Sequence, residues 1–287
     1  MKSDILNQKA FAPNYTMCKL FLNASECNIG GKRVTEFPNL QAGKYFVSHS
    51  YKDAAVRDTF LKSLPPQVTP YIFPPISVSP LEFVSSTLIG AILACDALIY
   101  LNEGFSSRSF WVAFERDYAR RAGKAVFFYT PSTDTFVEHT SPPLDLAIFP
   151  SFSFRQDKLV RPILAFMKDQ RFFDPWMELD TLDFGNSWAD ELQRGIGEIF
   201  LRGGYVVSFI GSFNSEYVIG ETKKGLEQER LIVAGLDVQP PEFILEYDDL
   251  FIQLMENGKV NNNRIDDLIV RLYWLMFRVQ FPQYLYE

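Results

Sequence analysis

A glutamate four residues after a tryptophan is the part of this sequence best suited to carry chemistry. Trp111 and Glu115 stand between two apolar runs, at 97–101 and 125–129, that we interpret as buried strands. Serines before the pair can cap a helix, and a spacing of four places both side chains on one helical face. Open parallel sheets bind ligands where a helix follows the carboxyl end of a strand. Glu115 is therefore a candidate catalytic carboxylate, while a surface glutamate beside a core tryptophan would show the same spacing.

The elements that must position this pair alternate between strand and helix patterns. Strands are predicted at 44–48, 69–73, 97–101 and 125–129, and helices at 53–64, 81–94 and 109–122. Such alternation is typical of an α/β protein. We therefore predict a mostly parallel, flavodoxin-like sheet with helices on both of its faces.

Length and charge exclude several classes of protein. The chain has 287 residues, enough for two domains, and a net charge of −7 that argues against a nucleic-acid partner. Its longest apolar stretch, residues 87–101, is interrupted by Asp96 and is too short to span a bilayer. The cysteines and histidines show no metal-ligand spacing. We expect a cytoplasmic protein with no metal site and no membrane partner.

The sequence divides the chain into four parts, of which the prolines mark the third. We assign residues 1–42 to an N-terminal extension, 43–150 to a first α/β domain, 151–174 to a proline-containing connecting region and 175–287 to a C-terminal α/β domain. The last of these ends in an amphipathic helix over 264–281, with apolar residues at helical spacing. A packed terminal helix is the usual meaning of such a pattern, and a membrane-surface or partner-binding helix is the alternative.

The second half of the chain repeats part of the first in weaker form. After a two-residue deletion, residues 217–221 lie over 111–115, so that Glu221 falls on Glu115. A degenerate duplicate of the α/β unit and a chance likeness between two short βαβ segments both explain the match. We see no counterpart of the loop Ser48-His-Ser-Tyr51 in the second half, and we therefore expect no direct catalytic role for Glu221.

Four segments of the first half resemble the TIR domain family and follow one another in that family's order. They are Phe46-Val-Ser-His-Ser-Tyr-Lys-Asp53, residues 89–101, Ser109-Phe-Trp-Val-Ala-Phe-Glu115 and Ala122-Gly-Lys-Ala-Val-Phe127. The first is similar to the family's opening strand and loop, and the third to its S-x-W-x-x-x-E signature. The likeness covers residues 43–150. The loop at 74–80 departs from the pattern, because it lacks the acidic and glycine residues usual there.

The resemblance implies an enzyme that cleaves the nicotinamide glycosidic bond of NAD+. Glu115 would be the essential carboxylate, and NAD+ would be the substrate, with no cofactor required. The product would be ADP-ribose or a cyclised isomer, serving as a signal or depleting NAD+ in antiviral defence. The resemblance implies Ser48 and Tyr51 as positions that bind ribose and nicotinamide. Three further candidates for substrate binding are Lys52, which could meet a phosphate, Asn102, which could hydrogen-bond the substrate or only its own turn, and Trp111, which would pack beside the ribose or in the core.

The resemblance also implies partners and leaves two alternatives open. Self-association through TIR domains is expected, with the loop at 74–80 in the contact, and a downstream effector or sensor protein could act with the chain. One alternative is a non-catalytic TIR adaptor, which would have no use for the carboxylate. The other is an N-glycosidic enzyme resembling the nucleoside deoxyribosyltransferases. Products formed from NAD+ and from deoxynucleosides distinguish these possibilities.

Overall fold

The computed structural model describes most of the chain from residue 40 onwards. The described residues are 40–74, 84–144, 147–171, 173, 175, 188–212, 214–245 and 250–280. By its internal contacts the chain divides into two units, residues 1–34 and residues 35–287, and every described residue belongs to the second. Of the predicted N-terminal extension, only residues 40–42 are described.

A mostly parallel sheet occupies the first half of the described chain. Its strands run in the order β2–β1–β3–β4–β5 and are β1 (Gly43–Ser48), β2 (Val68–Tyr71), β3 (Ala97–Leu101), β4 (Ala125–Thr130) and β5 (Thr135–Glu138). The central strand β3 is buried along its whole length, as the apolar run predicted. The sequence did not predict β5, which pairs with β4 in the antiparallel direction.

Helices cover both faces of this first sheet. They are α1 (Ala54–Ser63), α2 (Val84–Leu93) and α3 (Phe110–Arg121). Phe60 of α1 joins one core with the strand side chains of one face, while Leu88 and Phe114 of the other two helices join a core on the opposite face. Alternate residues of β1 and β3 divide between these cores, because successive side chains of a strand point to opposite faces. The predicted α/β architecture is confirmed.

The second half forms a separate parallel sheet. Its strands lie in the order β6–β7–β8–β9 and are β6 (Ile148–Ser151), β7 (Tyr205–Ile210), β8 (Leu231–Gly235) and β9 (Phe251–Gln253). Its helices are α4 (Asp157–Arg171), α5 (Trp188–Leu201), α6 (Glu216–Glu227) and α7 (Asn262–Gln280), with a small hairpin of β10 (Met255–Glu256) and β11 (Lys259–Val260) before the last helix. Both sheets are therefore built mainly from parallel strands.

The region that we predicted to connect the two halves is regular structure instead. Residues 151–174 contain helix α4, and the strand before it already belongs to the second sheet. Pro150 lies in the edge strand β6, where one side needs no backbone donor, and Pro162 lies within α4 beside the buried Ile163 and Leu164. Burial of this apolar face outweighs the cost of the proline. The domain boundaries stay a prediction, but the secondary structure between them differs from it.

The predicted terminal amphipathic helix is present as α7 and packs inside the molecule. It lies against α2 and α3 of the first half and against β9 of the second. The guanidinium Nε of Arg121 donates to Tyr273 Oη at 2.8 Å, and Arg171 donates twice to the buried Asp266, at 2.5 and 3.1 Å. The apolar core around α7 takes residues from both sheets. Among the described helices, none is long and apolar enough to cross a membrane.

The close approach of the first two strands of the second sheet leaves no room for a side chain at Gly204, in contrast to Gly197. A Cβ at Gly204 would overlap the carbonyl oxygen of Ala147, whereas a Cβ at Gly197, inside α5, would meet nothing within 4 Å. We predict that Gly204→Ala lowers the free energy of unfolding by about 1–3 kcal/mol, because backbone must move. Gly197→Ala should raise it by about 0.5–1 kcal/mol through helix propensity. Urea unfolding of both variants checks this, and equal stabilities would contradict the packing described.

Candidate active site

The carboxyl group of Glu115 is buried where α3 meets the end of β1. The helix begins after Ser109, whose side chain accepts a hydrogen bond from the Val112 backbone N–H at 3.5 Å. Glu115 follows this cap on the same helix and is 7% exposed. Its Oε2 accepts a hydrogen bond from Oγ of Ser48, the last residue of β1, which is itself buried. The predicted carboxylate and the predicted Ser48 are thus direct partners.

Burial changes the acidity of this carboxyl group. Removal from water raises the pKa of Glu115 to about 8, and the hydrogen bond from Ser48 opposes that rise. The neutral form therefore predominates at neutral pH before any ligand binds. A carboxyl group poised in this way readily responds to a positive charge brought beside it.

The loop after β1 is held in place by the loop after β3. Ser50 caps a short 3-10 helix over Tyr51–Asp53, and its backbone N–H donates to Ser106 Oγ at 2.9 Å. The Asp53 carboxylate accepts hydrogen bonds from the backbone N–H and the hydroxyl of Ser106, both at 2.6 Å. These contacts join the carboxyl ends of two neighbouring strands. They give the residues above Glu115 a fixed frame.

A cavity of about 220 Å³ opens beside Glu115 at this edge of the sheet. Its lining consists of Phe46, Val47, His49, Ser50, Tyr51, Lys52, Phe73, Leu88, Ser109, Trp111 and Glu115. The structure therefore brings together four of the predicted site residues, namely Tyr51, Lys52, Trp111 and Glu115. Ser48 is not among the lining residues and joins the site through its hydrogen bond to Glu115. Asn102 is exposed at the end of β3, outside the residues that line this cavity, and its binding role stays a prediction.

The aromatic and cationic residues of the lining have definite contacts. Tyr51 Oη donates to the Phe73 carbonyl oxygen, and its ring lies 5.1 Å from that of His49. The ammonium of Lys52 lies 4.6 Å from the centre of the exposed Phe105 ring, at the rim of the site. Trp111 is half-buried and meets the Phe114 ring edge-on, so its ring packs against the core and also lines the cavity.

His49 has structural contacts within the same cavity. Its Nε2 lies 2.9 Å from Nη1 of Arg57, and its Nδ1 lies 3.3 Å from the Val47 carbonyl oxygen. Burial lowers the pKa of His49 below its ordinary value, which the nearby Arg57 reinforces. The ring is therefore neutral near pH 7. Within the described ranges, no group of three or more His, Cys, Asp or Glu side chains could hold a metal ion.

The second half carries the same serine–glutamate pair. Ser151, the last residue of β6, donates to Glu221 Oε2 at 2.5 Å, and both residues are buried. Ser215 caps α6 by accepting from the Val218 N–H at 3.3 Å, so it corresponds to Ser109. In each half the glutamate follows its cap by six residues (115 − 109 and 221 − 215). The two-residue deletion in our alignment therefore precedes the capping serine.

A loop that sequence reasoning missed completes this correspondence. Residues 149–155, Phe-Pro-Ser-Phe-Ser-Phe-Arg, match Phe-Val-Ser-His-Ser-Tyr-Lys at 46–52, and each second serine begins a short 3-10 helix. Our statement that the second half lacks such a loop is wrong. Both loops have two serines, an aromatic residue and a basic residue at the same spacing, and this pattern could have revealed the second loop from the sequence. The second loop falls in the region that we interpreted as a connection.

Comparison of the chain with protein-family models, with curated proteins and with solved structures found no match. The loop at 74–80, expected to take part in self-association, lies outside the described residues except for Pro74.

The Ser48 hydroxyl is expected to control the acidity of Glu115. In Ser48→Ala the carboxyl group stays buried but loses the donor that stabilises its charged form, so its pKa should rise further. Carbon-13 NMR titration of labelled glutamate side chains measures this change. Ser151→Ala is the matched control, since it should raise the pKa of Glu221 and leave that of Glu115 unchanged. An unchanged Glu115 titration in Ser48→Ala would contradict the assignment.

Proposed function

We propose that residues 43–150 are a TIR-like NAD+-cleaving unit with Glu115 as its catalytic carboxylate. The observation that carries the proposal is a buried carboxyl group beside a small cavity at the carboxyl edge of a parallel sheet, held by one serine donor. The order β2–β1–β3–β4 and the four sequence segments that resemble TIR domains support the same assignment. The function is hydrolysis or cyclisation at the nicotinamide ribose.

The reaction requires little from the protein beyond a well-placed negative charge. The bond between ribose C1′ and the nicotinamide nitrogen breaks, and its electron pair neutralises the pyridinium as nicotinamide leaves. The ribose is left with oxocarbenium character, which a nearby carboxylate stabilises. Water then adds at C1′ and releases a proton, giving ADP-ribose. Attack by the adenine of the same molecule gives a cyclic isomer instead.

The raised pKa of Glu115 favours a cationic substrate over a neutral one. At neutral pH the free carboxyl group is mostly protonated, because burial penalises its charge. A pyridinium ring bound in the cavity would stabilise the carboxylate and lower its pKa. Binding of NAD+ would thereby generate the charged form where the ribose develops positive charge. A ligand without that positive charge would leave the group neutral.

The remaining lining residues fit the nicotinamide half of a dinucleotide and the phosphates next to it. The cavity is smaller than the roughly 300–1,000 Å³ of common ligand pockets, so it suits nicotinamide and its ribose rather than all of NAD+. Trp111 and Tyr51 offer aromatic surface to the ring and the sugar. Lys52 at the rim is placed to meet a phosphate. Self-association through the loop at 74–80 stays part of the proposal.

Glu115→Gln is expected to lower nicotinamide release by about 10²–10³-fold, because the change removes one charge that stabilises the transition state. Purified protein is incubated with NAD+, and products are identified by chromatography and mass spectrometry. Glu198→Gln serves as the control, because this glutamate is exposed on α5 outside both glutamate cavities, and it should retain wild-type turnover. Circular dichroism checks that both variants fold.

The same assay separates the alternatives. Full turnover in Glu115→Gln would remove Glu115 from the mechanism. Loss of turnover in Glu221→Gln alone would move the reaction to the second half. Base release from deoxynucleosides but not from NAD+ would favour an enzyme of the deoxyribosyltransferase type. If the self-associated protein cleaves neither substrate, an adaptor is favoured.

The pH dependence of the reaction should report the ionisation of Glu115. Because the carboxylate is the active form and its pKa in the free protein is about 8, kcat/KM should rise with pH and level off above about 8. The other titratable lining residues should not imitate this rise, since burial lowers the pKa of His49 and raises that of Tyr51. Initial rates between pH 6 and 9.5 provide the test. A profile that is flat or falls over this range would contradict the proposed role.

A further inference from the structure

The cavity beside Glu221 is built on the same plan as the one beside Glu115. A strand ends in a buried serine, the serine donates to a glutamate, and the glutamate lies on a helix with a serine cap. The two linings also agree in kind: Phe149 and Ser153 replace Phe46 and Ser50 at aligned positions, and each lining has a leucine, Leu192 or Leu88, from the helix before the next strand. These shared features indicate that the second cavity is a defined part of the fold and not an accidental packing defect.

The second cavity is larger than the first. Its volume of about 410 Å³ lies within the range of ordinary small-molecule sites, whereas the first cavity has about 220 Å³. Phe154 and Tyr217 line it and are 80% and 55% exposed, whereas Tyr51 at the first cavity is 41% exposed. Exposed rings at the rim of a cavity offer stacking surface to a planar base.

Two arginines lie in the lining of this cavity. Arg155 stands at the position of Lys52, while the charge of Arg161 is offset by Asp157, a lining residue with which it forms an ion pair at 2.6 Å. Lys52 is the cation in the lining of the first cavity. Guanidinium groups form paired hydrogen bonds with phosphate oxygens, which suits a diphosphate better than a single lysine does.

We propose that the cavity beside Glu221 is a second ligand site, which binds a nucleotide with a ribose and a diphosphate group. The exposed rings of Phe154 and Tyr217 take the base, and Arg155 takes the phosphates with Arg161 beside it. Glu221, which Ser151 holds by a hydrogen bond, faces the ribose hydroxyls. The inference rests on the geometry of this cavity and stands whether or not Glu115 cleaves NAD+.

Direct binding of ADP-ribose to the full-length protein tests this site. Isothermal titration calorimetry is carried out with wild type, Arg155→Glu and the matched Lys52→Glu, since both basic residues are exposed and their replacement should not disturb the core. We expect Arg155→Glu to weaken binding at the second cavity by about tenfold or more, as loss of a charge-assisted phosphate contact requires. Phe154→Ala should weaken the same binding event.

The outcomes separate this site from the proposed reaction. Binding that Arg155→Glu weakens and Lys52→Glu leaves intact supports the second site, even if the protein never cleaves NAD+. Two binding events, each lost in one of the variants, support both sites. No binding of ADP-ribose, or binding that only Lys52→Glu affects, would overturn the inference. In those cases nicotinamide release by wild type still decides the proposed reaction separately.

Discussion

Burial of a carboxyl group at the carboxyl edge of a parallel sheet is the constraint on which the site depends. Burial raises the pKa of Glu115 to about 8. Because one pKa unit corresponds to about 1.4 kcal/mol, ionising this carboxyl group inside the protein costs several kcal/mol more than in water. That cost is tolerable only with a donor beside the oxygen, and Ser48 supplies it from the last position of β1. The strand end, the helix start and the loop between them must therefore keep one relative placement.

The parts of this arrangement that sequence could predict are those with strong local signals. The buried strand at 97–101 is a continuous apolar run, and Ser109 followed by aromatic residues at helical spacing indicates a capped helix. Together they placed Glu115 and Trp111 near a strand end, as the structure does. The contact between Ser48 and Glu115 joins residues 67 positions apart, and only the resemblance to a family suggested that they share a site.

Elements decided by long-range packing were harder to predict. Strand β6 and helix α4 contain Pro150 and Pro162, and local propensity counts each proline as a break. In the folded chain Pro150 lies on a sheet edge, and α4 buries an apolar face that outweighs one lost hydrogen bond. The prolines around the loop at 151–155 likewise indicated a connecting region, although its serines repeat the spacing of those at 48 and 50.

The two buried glutamates have the same serine donor and helix position but different surroundings. Burial raises the pKa of Glu221 to about 7, and the hydrogen bond from Ser151 and the nearby Lys224 oppose that rise. Glu221 shares its cavity with the guanidinium groups of Arg155 and Arg161, whereas Glu115 shares its cavity with the ammonium of Lys52. A guanidinium forms paired hydrogen bonds with an anionic ligand, which an ammonium does not. The buried pair is thus the common part, and the residues at the rim determine which ligand each cavity prefers.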